Sequence, residues 1–77
     1  MKLLKTNLPL LLSQHGFDRA LLFDGYWNNQ IGLACDLIHQ LDGAPPVGGE
    51  WYDNGEFKGV LYGVRSERTA IAVMLQH

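Results

Sequence analysis

The sequence predicts a two-layer α+β domain, with two helices on one face of an antiparallel sheet of three to four strands. Three observations predict it. Leucines and isoleucines recur at helical spacing in two stretches, one around Leu4–His15 and one over Ile31–Leu41. Two strand-like segments, Glu50–Tyr52 and Phe57–Val64, flank Asp53-Asn54-Gly55, where Asn and Gly tolerate the positive φ of a tight hairpin. A third apolar run, Arg19–Phe23, is too short for a helix and is closed by the turn pair Asp24-Gly25. The element order is then α-β-α-β-β-β over residues 1–77, a single small domain.

Taken in order, Leu4, Leu8, Leu11, Leu12 and His15 form the first helical stripe, and Gly16 stands where a left-handed C-terminal cap belongs. Pro9 is tolerated only in a first turn, which favours Thr6 or Asn7 as the N-cap and leaves Lys2–Lys5 extended or frayed. Arg19–Phe23 reads as a buried strand, whose pairing stays open between an edge position and a place beside the last strand. Asn28 or Asn29 caps the second helix, where Ile31, Ala34, Cys35, Ile38 and Leu41 form one stripe. Leu33 and Leu37 widen that stripe, and Asp42-Gly43 ends it. Ala44–Gly49, with Pro45 and Pro46, is a crossing loop. After the hairpin, Arg65–Arg68 turns the chain into Thr69–Leu75, where Thr69, Ile71, Val73 and Leu75 alternate with Ala70, Ala72 and Met74. That alternation predicts a third strand of a meander. Gly59 and Gly63 lie within the second hairpin strand and leave a smooth strip that another element could approach.

Composition narrows the function classes. Hydrophobic residues at 47% and charged residues at 18% give a chain able to bury a core. Six Lys+Arg against eight Asp+Glu, with the basic residues scattered, are a poor footprint for nucleic acid, and no nucleic-acid partner is expected. The acidic residues are also spread along the chain, which argues against a mimic of DNA. The single cysteine, Cys35, excludes an intrachain disulfide and suits a reducing, cytoplasmic setting. Asn7 and Pro9 interrupt the apolar opening, so it does not read as an export signal, and no segment reaches the ~20 apolar residues of a membrane span.

Few residues offer chemistry. Cys35 and His39 stand four apart on the second helix and could begin a zinc site or pair a thiol with a base. A structural zinc site needs more ligands, and the other histidines, His15 and His77, stand at a helix end and at the last position. The simpler reading makes Cys35 a small core residue with His39 on its rim. Asp24 closes a buried strand, where a general base could sit, yet before Gly25 it more simply starts a turn. No phosphate loop is present, because the glycine pairs do not join a strand to a helix N-terminus.

The aromatic residues say more. Tyr26-Trp27 follows the first strand and Trp51-Tyr52 opens the hairpin, so two Tyr/Trp pairs sit at element ends. Neighbours in a strand face opposite ways, so one of Trp51 and Tyr52 enters the core and the other faces outward. Outward Trp and Tyr are enriched at binding hot spots. Tyr26, Trp27, Trp51, Tyr52, Leu33 and Leu37 are therefore the candidate partner-binding residues. The expected function is a non-enzymatic protein-interaction module, a small cytosolic inhibitor or regulator of a larger protein. An anti-defence protein of a mobile element is a narrower form that rests on size alone. No cofactor or metal is expected, and a homodimer is the favoured self-assembly. The alternative is a small enzyme or metal-binding protein centred on Cys35, His39 and Asp24.

Overall fold

In the computed structural model, which describes Met1–Gln76, the chain runs β1 (Lys2–Leu4), α1 (Leu10–Gln14), β2 (Ala20–Phe23), α2 (Asn29–Asp42), β3 (Gly48–Asp53), β4 (Glu56–Gly63) and α3 (Glu67–Gln76). The α+β class holds. The four strands form one antiparallel sheet in the order β1-β2-β4-β3. β2 lies inside the sheet, with Leu22 opposite Lys2 on one side and Leu61 on the other.

Strand alternation divides the apolar residues between two cores. Leu21, Phe23 and Val60 face α2 and α3, where they meet Ile31, Ala34, Ile38, Ala70 and Val73. Ala20 and Leu61 face the other way and pack with Leu12 and Phe17. Two helices therefore share one face of the sheet, and they are α2 and α3. The expectation that the first helix joins α2 is corrected: Leu12 is buried on Ala20 and Leu61, which the strand period turns away from α2. Gly63 makes room on this side, because a Cβ there would stand 2.6 Å from the Phe17 ring. The Gly63 end of the smooth strip is filled by that ring, with the Arg65 guanidinium 4.7 Å from its centroid.

The first helix is also shorter than expected. Asn7 holds a left-handed φ of 58°, and Pro9 precedes Leu10 as the N-cap without a side-chain cap bond. Leu3 and Leu4 belong to β1, so the helical spacing that began at Leu4 joined a strand to a helix across this kink.

Thr69–Leu75 is the larger correction, since it lies within α3 and not in a strand. Its buried residues are Thr69, Ala70 and Val73, while Ile71, Met74 and Leu75 are exposed, which is helical spacing. The Ser66 hydroxyl accepts the Thr69 N–H at 3.1 Å, the bond of an N-cap to the third residue of its helix. The place beside β4 expected for a third meander strand is taken by β2.

α2 has the caps expected of it. The Asn28 side chain accepts the N–H groups of Gln30 and Ile31, and Gly43 closes the helix at φ 72°. In the hairpin, Asn54 and Gly55 both take positive φ, 53° and 78°, as a two-residue primed turn requires. The register opposes Trp51 to Gly59 and Tyr52 to Phe57, so Lys58 is an extra residue that bulges from β4.

Candidate interaction surface

The bulge in β4 brings Phe57 onto the same face as Tyr52. Along β3, Trp51 turns to the α1 side and is partly buried among Leu12, Leu61 and their neighbours. Tyr52 emerges on the α2 side, where its hydroxyl donates to the Glu50 carboxylate at 3.0 Å. One of the pair thus packs inward and the other faces out, as strand alternation requires.

Phe57 organises the rim. Its ring stacks on Tyr26 at 4.3 Å between centroids with 15° between planes, and Tyr52 meets it edge-on at 5.4 Å. The β2–α2 connection and the hairpin, far apart in sequence, are joined by these three rings. Trp27, just before α2, lays its ring over the first turns of that helix. A Cβ at Gly32 would stand 2.9 Å from the Trp27 ring, so the glycine gives the indole its seat. Gly costs a helix interior about 1 kcal/mol relative to Ala, and here it permits that contact.

Tyr26, Trp27, Leu33 and Tyr52 are 66%, 57%, 56% and 50% exposed. Leu37 is different, being partly buried against the α2–α3 core. A second apolar surface runs along the outer sides of the helices, where Leu41 of α2 and Ile71, Met74 and Leu75 of α3 are also exposed. Sequence reasoning missed Phe57 and Gly32. The glycine left a signal, a helix-weakening residue within an otherwise well-formed stripe.

The Cys35, His39 and Asp24 alternative has less around it. The thiol is half-buried and burial pushes its pKa up, with Tyr62 partly opposing that shift by hydrogen bonding. A thiol held protonated is a poor nucleophile and a poor metal ligand. The Tyr62 hydroxyl is likewise raised, first by burial and then by Cys35. Among the described residues, no three His, Cys, Asp or Glu side chains gather as a metal site. His77 lies outside the described residues.

On the other face, Pro9, Leu11, Leu12, Trp51 and Leu61 line an apolar cleft of about 140 Å³ beside Gly48 and Gly49. It is too small for a drug-sized ligand, whose sites run to roughly 300–1,000 Å³. Among the described residues, no helix is long and apolar enough to cross a membrane. No family model matches the chain, and neither a curated protein nor a solved structure is significantly similar to it.

Proposed function

We propose that this chain is a non-enzymatic protein-interaction module, a small cytoplasmic regulator or inhibitor that docks a larger protein through its aromatic rim. One observation carries the reading: Tyr26, Trp27 and Tyr52 are at least half exposed and yet held in place, by Phe57 and by the glycine seat of Gly32. Rigid aromatic groups that stay in water in the free protein lose little entropy on binding and bury large areas, which makes them effective anchors. The unpaired Cys35 thiol suits a reducing compartment.

The test is affinity capture from the source cell with wild-type protein beside Trp27→Ala and Tyr52→Ala, each checked for native circular dichroism. A stoichiometric partner present with wild type and lost with both variants is the expected result. Capture unaffected by either substitution excludes the rim.

A homodimer through α2 and α3 is the second reading, favoured by the exposed Leu33, Leu41, Ile71, Met74 and Leu75 on adjacent helices. Sedimentation velocity with Leu33→Glu and Met74→Glu tests it; a wild-type protein that stays monomeric at high concentration rules it out.

A further inference from the structure

Two stretches of the chain carry acidic residues and no cation. Residues 20–38 contain Asp24 and Asp36 and no Lys, Arg or His; residues 43–57 contain Glu50, Asp53 and Glu56 and again none. The Tyr26–Phe57 stack brings these two cation-free segments together. Lys58, the nearest cation along the hairpin, is engaged by Glu56 at 3.3 Å. Lys2 lies on β1, at the opposite edge of the sheet.

β3 is the other edge strand. Val47 accepts the Gly63 N–H at 2.9 Å, so the antiparallel alternation turns the backbone groups of Gly49 and Trp51 toward β4 and those of Gly48 and Glu50 outward. A strand laid along this edge would have side chains on both faces. On the α2 side they would meet Glu50 and Tyr52, a carboxylate beside an aromatic ring that suits a guanidinium or ammonium. On the α1 side they would meet the apolar cleft beside Trp51, whose 140 Å³ matches one aliphatic side chain in scale.

We infer that β3 receives an extended segment of a partner protein in which basic and aliphatic residues alternate, added to the sheet as a further strand. The inference rests on the reading of the aromatic rim as a docking surface and names the chemistry of what docks there. A second copy of this chain paired about Glu50 would set that carboxylate against its own counterpart, and the concentration dependence below tests for that occupant.

The experiment uses the full chain and a capped hexapeptide alternating Arg and Val, with a Glu-Val counterpart and a version carrying Pro at its centre. The Arg-Val peptide is expected to slow amide exchange at Gly48 and Glu50 by about tenfold or more. Binding should weaken as salt rises and drop about tenfold in Glu50→Gln/Asp53→Asn, and the proline peptide should not bind. Equal binding of the Glu-Val peptide overturns the inference, as does protection of β3 that grows with protein concentration without peptide. If no peptide protects β3 while Trp27→Ala still abolishes capture of a cellular partner, the strand-addition inference fails and the docking surface stands. Capture untouched by Trp27→Ala and Tyr52→Ala removes the docking surface itself.

Discussion

Thr69 donates its hydroxyl hydrogen to the Asp42 carboxylate at 2.6 Å, joining the first turn of α3 to the last residue of α2. The other carboxylate oxygen accepts the Arg65 N–H at 2.9 Å, and the Asp42 side chain is only 2% exposed. One buried acid thus fixes the strand-to-helix turn after β4 and the juxtaposition of the two helices on the sheet. Asp42→Ala is expected to destabilise the protein by about 2–3 kcal/mol, since charged hydrogen bonds are lost and a backbone donor is stranded. Thr69→Val, of nearly equal volume, should cost about 1–3 kcal/mol by leaving the carboxylate short of a donor. Urea unfolding of both single variants and the double variant checks this, and strongly non-additive losses are expected because the two side chains share one bond.

The Asn28 cap offers a cleaner local measurement. Asn28→Ala removes the acceptor for the Gln30 and Ile31 N–H groups and should cost about 1 kcal/mol, while Asn28→Asp should retain most of it. Unfolding midpoints of the three proteins decide the matter.

Gly63→Ala puts a methyl group where the Phe17 ring lies, and that ring is covered in turn by Arg65. Overpacking of about 1–3 kcal/mol is expected, with Phe17→Leu in the same chain recovering part of it. Gly32→Ala is the contrast. Its methyl meets only the exposed Trp27 ring, so the fold should hold, or gain up to about 1 kcal/mol of helix propensity, while the indole is displaced. A change in tryptophan emission with an unfolding midpoint that is unchanged or raised is the expected signature, together with loss of partner capture.

Alkaline pH should loosen the protein. Burial raises both the Cys35 thiol and the Tyr62 hydroxyl above their ordinary values of 9.0 and 10.0, so the folded chain keeps protons that the unfolded chain would release. Their contribution to stability is complete below those ordinary values and is lost as pH climbs from them through the raised folded-state values. Urea midpoints should fall on that limb, and the fall should be shallower in Cys35→Ala and in Tyr62→Phe.

Much of this fold was legible where local chemistry and tertiary packing agree. Asn28, Gly43 and the Asn54-Gly55 turn act through their own backbone conformations, and each stands where its residue type predicts. Thr69–Leu75 was misread because β-branched residues at alternate positions also satisfy a helix when small alanines lie between them. The deciding bond, Ser66 capping Thr69, was available in the sequence as a Ser three residues before a Thr with Glu67 in the first turn. The face chosen by α1 was not legible, since it depends on which alternate residues of β2 and β4 Leu12 meets. Nor was the rim: Tyr26 and Phe57 stand far apart in the chain, and only the sheet register brings their rings together.

The strand order β1-β2-β4-β3 also has a kinetic side. The central pairing, Phe23 with Val60, joins residues separated by all of α2 and the hairpin, whereas β3 and β4 are joined by a two-residue turn. The hairpin can form within microseconds, but β2 can reach it only by closing a loop that contains the longest helix. Refolding should therefore be limited by that closure. Substitutions in β2 and on its α2-facing side should slow folding more than those in α1 do, making Leu21 and Phe23 the residues through which this small chain sets its own folding time.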